Sequence, residues 1–504
     1  MSMAKEMPKP RLQQIDRRQL ILRPIDVEQL IPEDHEARAI WEFVGQLDLS
    51  CYYEDIHAVE GVAGRESVDP RLLISLWIYS YTEGISSARE ISRLCEYHPA
   101  YQWLTGLKPI NYHTVSDFRV KHKEALDELF SNALGLLSAE GLVDLQRVMH
   151  DGTKIKASAG SDSFRREEKV KAHLEMARQH VAEMGDPRTA EEVSPRVAAA
   201  RRRAARERQQ KLESALEELE KIRELKSGAT AKAEARVSES DPECRIMKQG
   251  NGGYAPGYNV QISTDAAAGI IVGVGVTQAA ADYQELAPAV ERIENNLEKK
   301  PEQMVVDGGF TCRSNILELD GRGVDLIGSM RDGVAQSAGQ FDRRGVDPFF
   351  RTDAFLYDAV TDTYTCPSGK KLHLEGKEKQ TGRLNYKYRA DAADCQGCSL
   401  KAKCCPQNAG KGRAMARGVD DPAVTAFIEK MQTDEAKRIY RQRGGVAEFT
   451  NAWLKTKNGL REFRVRGLLK VGMETLWACL TYNIQQWIRL RWRVRTMALQ
   501  TVAG

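Results

Sequence analysis

The order of periodicities between Val143 and Gly328 restricts the fold more than any other feature of this chain. Val143 to Ala157 reads as a strand whose β-type apolar residues end at Met149-His150-Asp151-Gly152-Thr153. Polarity then rises. Val170, Leu174, Ala177, Val181 and Met184 recur at spacings of 4, 3, 4 and 3, and after Gly185-Asp186-Pro187 a second stretch carries Leu212, Ala215, Leu219 and Ile222 at 3, 4 and 3. This predicts a charged antiparallel helical hairpin closed by a narrow apolar seam. Arg201-Arg202-Arg203 on it either touches a nucleic-acid backbone or forms a solvated face. Strand pattern returns at Gly257 to Thr264 and Gly269 to Val276, separated by Asp265-Ala266-Ala267-Ala268, which reads as a β-hairpin. A helix from about Asp282 through Leu286, Val290, Ile293 and Leu297 follows, then a strand Gln303 to Asp307, a connecting helix and a strand Val324 to Gly328.

Three antiparallel strands, a helix and further strands predict an α/β fold with an RNase H-like mixed sheet flanked by helices, the helical hairpin (165–228) being an insertion after the first strand. The expected organisation is an N-terminal arm (1–60), a helical DNA-binding domain (61–140), the first part of the core (141–330), a Cys-rich insertion (331–430) and the second part of the core (431–504). Within the helical domain, Tyr112 to Lys123 has a capping hydroxyl at Thr114 and groups able to contact phosphate or bases, the pattern of a recognition helix. A basic helix that never meets DNA has the same composition. From Arg331 to about Val424 periodicity fades and cysteines and turn residues accumulate. Two helices close the chain, one around Glu448 and one from about Leu468 to Arg491.

Composition narrows the classes. At 504 residues with 42% hydrophobic and 29% charged residues, the chain is a soluble globular protein of two to four domains. Its longest largely apolar runs, Leu72 to Tyr79 and Gly269 to Val276, are far shorter than the roughly 18 residues of a spanning helix, so no membrane role is expected. Met1 to Pro8 lacks a secretory apolar stretch, which predicts a cytoplasmic, reducing setting where the ten cysteines are thiols or metal ligands. The net charge of +3 is unevenly spread: Met431 to Gly504 holds fourteen Lys/Arg against five Asp/Glu. A basic end on an otherwise acidic chain suggests a polyanion held at one place, although a solvated basic helix has the same signature.

Asp151 and Asp307 each follow a β-type run, where a carboxylate is held by rigid backbone yet faces outward, as hard divalent cations require. Asp-Gly is also ordinary turn chemistry. Glu448 and Lys455 are seven apart, just under two helical turns, so one face presents a metal ligand and a phosphate-holding cation. Tyr440 and Arg443 lie just upstream as donors. Cys366, the pair Cys395 and Cys398, and Cys404 in preference to Cys405 offer four sulfurs for a structural zinc. Gly269 to Val276 has no phosphate-loop Lys-Ser/Thr and opens no helix, and no nucleophile elbow is present. His150 beside Asp151 is read as structural.

At these residues the chain resembles a bacterial insertion-sequence transposase of the DDE class, with a Tyr-x2-Arg-x3-Glu-x6-Lys signature around its Glu. Tyr440-x2-Arg443 and Glu448-x6-Lys455 match, but four residues separate Arg443 from Glu448. On an unbroken α-helix that moves Arg443 off the Glu448 face, and Gly444-Gly445 is expected to absorb the change by starting the helix later. Arg464 and Arg466, in Arg461 to Gly467, also look like the family's basic segment, and a Cys-rich insertion resembles one of its branches. The resemblance implies Asp151, Asp307 and Glu448 as catalytic ligands of two Mg²⁺ ions, with Mn²⁺ as substitute. It also implies Tyr440, Arg443, Lys455, Arg464 and Arg466 on DNA or phosphate, cleavage at transposon ends, strand transfer into double-stranded target DNA, and a homodimer. The alternatives are a non-catalytic DNA-binding protein derived from a transposase and a structure-selective DNA nuclease of the same fold.

Overall fold

Strand β1 (Arg147–Lys156) is the centre of a six-stranded mixed sheet in the computed structural model, which describes residues 17–18, 20, 24–54, 56–58, 66–185, 194–330, 339–407 and 410–503, without the side chains of 185 and 499–503. On one side β1 pairs antiparallel with β3 (Tyr254–Asp265), whose far edge carries β2 (Arg245–Lys248) and β4 (Ile271–Thr277). On the other side β1 runs parallel to β5 (Gln303–Val306), and β5 to β6 (Asp325–Gly328). The three antiparallel strands and the two further strands expected from sequence are thus present, and the further two pair in parallel. Their bounds differ: Val143 to Gln146 precede β1, with Leu145 in the left-handed region (φ 59°) and its N–H donated to Asp265 Oδ2 at 2.9 Å.

Strand alternation divides the core between the two faces. Val148, Met304, Val306 and Leu326 belong to the main apolar core with Leu286, Val290 and Ile293 of helix α9 (Leu286–Leu297) and with Ile316 and Leu319 of α10 (Arg313–Arg322). Met149, Val305 and Ile327 face the other way, against Ala436, Ile439 and Ala447 of the chain's last quarter. Helices therefore cover both faces.

Among the described residues, a short helix Ser50–Glu54 and six longer ones precede β1: α1 (Glu36–Val44), α2 (Pro70–Thr82), α3 (Ala88–Tyr97), α4 (Pro99–Thr105), α5 (Tyr112–Lys121) and α6 (Lys123–Ala139). They share the main core with the sheet, including α1, which lies in the stretch read as an arm. Helix α5 is capped by Asn111 Oδ1, which accepts from His113 N at 2.8 Å; Thr114, expected to be the cap, sits exposed in the first turn. Its Arg119 is buried and stacks 4.7 Å over the Trp77 ring, so only His113, Thr114, Asp117 and Lys121 are fully exposed on that helix.

After β1 comes the expected pair of helices, α7 (Glu167–Gly185) and α8 (Pro195–Glu224). Val170, Leu174 and Ala177 meet Leu212, Ala215, Leu219 and Ile222 in a separate small core, while Val181 and Met184 are only half-buried. Asp186 and Pro187 of the expected turn, Met1 to Pro8 and Arg331 lie outside the described residues.

Fading periodicity between Arg331 and Val424 conceals regular structure. Strands β7 (Leu356–Asp358), β8 (Thr363–Thr365), β9 (Lys371–Gln380), β10 (Arg383–Ala390) and β11 (Ala414–Asp420) form a five-stranded antiparallel sheet in sequence order. Few of its residues are buried because little packs on it apart from a core of Phe355, Tyr364, Leu372, Tyr388, Ala390 and Met415, which blurs the alternation. Then come α11 (Pro422–Gln432), α12 (Asp434–Arg443), a π-helical turn Gly444–Glu448, α13 (Phe449–Thr456) and the buried α14 (Leu468–Trp487). In α14, Asn483 both accepts from and donates to the backbone of Ile271, at 2.7 and 2.8 Å, which secures β4 against the helix. No described helix is long and apolar enough to cross a membrane.

Candidate carboxylate site

The ladder between β1 and β5 pairs Arg147 with Gln303, Val148 with Met304 and Met149 with Val305, and then ends. Continuing that register by two residues sets Asp151 beside Asp307, on the face of Met149 and Val305. Asp151 is therefore not at the end of its strand, as the sequence suggested. It lies mid-strand, still paired on the other side with Ile262, at the point where the parallel neighbour leaves. Asp307 follows β5 directly and its Oδ1 accepts from Gly309 N at 2.7 Å. A Cβ at Gly309 would stand 2.9 Å from that oxygen, so glycine lets the loop fold back over the carboxylate.

Burial pushes the Asp151 carboxyl up to about 6; Arg443 opposes the rise, and the neighbouring Asp307 charge adds to it. Its oxygens are nonetheless well held. Oδ1 accepts from Gly152 N at 3.0 Å and lies 3.8 Å from Arg443 Nη1, and Oδ2 accepts from Asn451 Nδ2 at 2.9 Å.

The third carboxylate arrives on the helix that covers this face. Ala436 and Ile439 of α12 and Ala447 of the π turn pack on Met149, Val305 and Ile327, which brings the Glu448 segment over the strand ends. The extra residue between Arg443 and Glu448 does not delay the helix start, as expected from Gly444-Gly445. The helix continues and absorbs it as the π turn, whose i to i+5 spacing returns Arg443 to the Glu448 side. Arg443 Nη2 lies 3.3 Å from Glu448 Oε1, and the same guanidinium reaches Asp151. Glu448 is 65% exposed. Beyond it, Asn451 and Lys455 continue one helical stripe. Burial pulls the Lys455 ammonium below its ordinary range; Asp151 opposes this and Lys154 adds to it.

Asp151, Asp307, Arg443, Glu448 and Lys455 are thus brought together. Tyr440 packs beside the Met149 cluster, one turn before Arg443. Arg464 and Arg466 are exposed on the loop beside the end of β1, where Lys156 N donates to Arg461 O and Phe463 N to Lys156 O. Arg464 N donates to Glu474 Oε2 at 2.9 Å, and Arg466 Nε to Ser158 O at 2.8 Å. His150 faces the opposite side of the sheet, between Ser263 Oγ (2.9 Å) and Gln261 Oε1 (3.0 Å). Burial lowers it to about 3, a neutral structural residue as read from sequence.

Sequence reasoning missed two residues. Asn451 was legible as the position between Glu448 and Lys455 on the same stripe. Asp282, expected at a helix start, precedes α9 and accepts from Lys154 (3.0 Å), Asn259 (2.7 Å) and Gln261 (2.9 Å). A Cβ at Gly152 would lie 2.6 Å from its Oδ1, a close approach that no local pattern announces.

Cys366, Cys395, Cys398, Cys404 and Cys405 line one small pocket of about 30 Å³ beside the five-stranded sheet. Cys366, Cys395 and Cys404 border the sheet's core, and burial raises the Cys404 thiol to about 11. Among the described residues, no three His, Cys, Asp or Glu side chains form a ready-made metal cage, here or at Asp151.

Fold and site define an α/β protein whose sheet gathers carboxylates under a helix bearing basic groups. The family model described as Transposase DDE domain matches residues 365–488, and Transposase domain (DUF772) matches residues 25–121. Both matched models describe transposase domains, and together they indicate an insertion-sequence transposase of the DDE class. The first contains Tyr440, Arg443, Glu448 and Lys455 and stops short of Asp151 and Asp307; the second covers the helices up to α5. A comparison with curated proteins finds no match.

Proposed function

We propose that the chain cuts DNA at transposon ends and joins the freed 3′ ends to target DNA, using an RNase H-like core in which Asp151, Asp307 and Glu448 are the metal ligands. The observation that carries this reading is the register that sets Asp151 beside Asp307 under the helix bearing Glu448. The donor set fits hard divalent cations: all oxygen, one aspartate within a rigid strand and one just past the end of its parallel neighbour, and a carboxyl that burial holds above its usual range. When bound, two Mg²⁺ ions, or Mn²⁺ in their stead, supply activation of a water or a 3′-hydroxyl and stabilisation of the leaving oxygen.

The chain's own residues do the rest. Asn451 fixes one Asp151 oxygen and leaves the other turned toward Arg443. Arg443 shares its charge between Asp151 and Glu448, so it holds the two carboxylates near one another, a role that bound cations would take over. Lys455, half-withdrawn from water on the same stripe, orients a phosphate oxygen. Tyr440 supports the helix by packing and offers its hydroxyl to the DNA backbone. Arg464 and Arg466 grip the duplex beyond Lys156, and the N-terminal helices up to Ala139 read the ends. Two ends must be synapsed, which calls for a homodimer. Cys366, Cys395, Cys398 and Cys404, drawn closer together, would hold a structural zinc that would organise the five-stranded sheet and take no part in the reaction.

The test is incubation of the full chain with DNA bearing the element's ends and Mg²⁺. Nicked and joined products that EDTA abolishes, and that Asp151→Asn fails to make, support the reading. Binding without cutting would favour the non-catalytic relative, and cutting of branched DNA without joining would favour the structure-selective nuclease.

A further inference from the structure

We propose that the distal half of α8 is an arm that grips the phosphate backbone of duplex DNA flanking the carboxylate cleft, an inference that rests on the reading of the chain as a DNA-processing transposase. The helix is electrically divided. Residues 195–211 hold seven Lys/Arg and one Glu, whereas residues 212–224 hold two Lys/Arg and five Glu. The acidic half is engaged by the protein itself: Glu213 pairs with Arg178 (3.2 Å), and Glu218 with Lys221 (2.6 Å) and with Arg245 on β2. In the basic half, Arg202, Arg203, Arg206, Arg208 and Lys211 enter no ion pair among the described residues.

That half is also not held by packing. Toward the N-terminus from Leu212, the one residue of α8 buried among those described is Ala205. Ala198, Ala199, Ala200, Ala204 and the arginines keep it helical through their high intrinsic propensity. Three consecutive arginines at about 100° steps place positive charge around much of the circumference there. A half-helix without an apolar stripe, whose Arg202, Arg203, Arg206, Arg208 and Lys211 have no ion-pair partner among the described residues, suits a polyanion wrapped in phosphates, and gives a flat protein surface nothing to bury.

The arm lies on a path from the cleft. Asp151 and Ser158 are seven residues apart along extended chain, about 23 Å. Ser158 O anchors Arg466, and Arg466 lines a cleft of about 300 Å³ with Arg208 and Lys211 of α8, bordered by Glu207 and Glu239. At about 3.4 Å per base pair, a duplex cut at Asp151 reaches this cleft within roughly seven base pairs, less than one helical turn.

The experiment compares the full-length chain with the combined variant Arg202→Gln, Arg203→Gln, Arg206→Gln, on a mixed-sequence DNA duplex without divalent metal. Each lost phosphate contact flattens the dependence of log affinity on log salt by about 0.9, so the expected slope is shallower by about 2 to 3, with at least tenfold weaker binding near 0.1 M salt. Unchanged helical signal and melting temperature establish that the variant folds, and Lys at the same three positions should restore the slope. An unchanged slope overturns the arm. So does an unchanged slope accompanied by loss of self-association, which would make the surface a contact for a second copy. A separate Mg²⁺ cleavage assay on wild-type chain keeps the two claims apart: cutting with an unchanged slope sinks the arm alone, and a flattened slope without cutting sinks the catalytic reading alone.

Discussion

Arg443 Nη2 lies 3.3 Å from Glu448 Oε1 although the two residues are five apart, because the turn between them is π-helical. An α-helix achieves the same adjacency with one residue fewer, so the longer interval and the wider turn compensate each other. The same guanidinium stabilises ionised Asp151. Arg443→Ala should therefore raise the Asp151 pKa above about 6 and move the acidic limb of the pH profile of Mg²⁺-dependent cleavage to higher pH. A limb that stays in place would show that Arg443 acts elsewhere.

If Asp151 is a metal ligand, as proposed, it makes metal binding and stability pH-dependent in opposite senses. Its folded pKa is raised, so between about 4 and about 6 the native state binds more protons than the unfolded one, and the metal-free protein loses stability as pH rises through that window. Cations compete with that proton, so the gain in melting temperature on adding Mg²⁺ should be small at pH 5 and reach its full value above pH 7. Asp151→Asn should stabilise the metal-free protein at pH 8 by about 1–3 kcal/mol while abolishing the Mg²⁺ response. Calorimetry with and without Mg²⁺ checks both.

Asn451 is 8% exposed, donates to Asp151 and leaves its Oδ1 without a partner. Removing the donor frees the carboxylate to rotate. Asn451→Ala should weaken Mg²⁺ dependence about 10-fold to 100-fold, the usual range when a ligand's support is lost. Titration of cleavage rate against Mg²⁺ reads this as a shift in half-saturation, and a fall in rate at saturating metal alone would argue for a different role.

The N-terminal helices and the C-terminal helix share a buried ion pair. Arg119 on α5 and Glu474 on α14 are 3.7 Å apart with side chains 6% and 1% exposed, and Glu474 also accepts from the backbone of Arg464 and Val465. Arg119→Met should cost about 3–5 kcal/mol, since it strands a buried carboxylate. Adding Glu474→Gln should recover part of that loss. A denaturation cycle over the two single variants and the double variant measures the coupling, and strict additivity would refute it.

Local pattern reached far into this fold. The alternation of the strands, the 3-and-4 spacing of the paired helices after β1 and the stripe Glu448 to Lys455 are short-range consequences of backbone geometry, and each is present, with bounds that shift where a cap or a loop replaces a periodic residue. The five-stranded sheet was hidden because exposed strands carry little hydrophobic alternation. Asp282 was hidden because its partners Lys154, Asn259 and Gln261 come from two other strands.

By itself the sequence determined which residue types stand on which elements, and through them the class of chain. Tertiary structure alone decided that Asp151 and Asp307, 156 residues apart, lie side by side, since that depends on a parallel register set by long-range pairing. It also decided that an extra residue becomes a π turn: Ile439 before the turn and Ala447 within it are both fixed against the same sheet, so the helix between them has to take up the surplus.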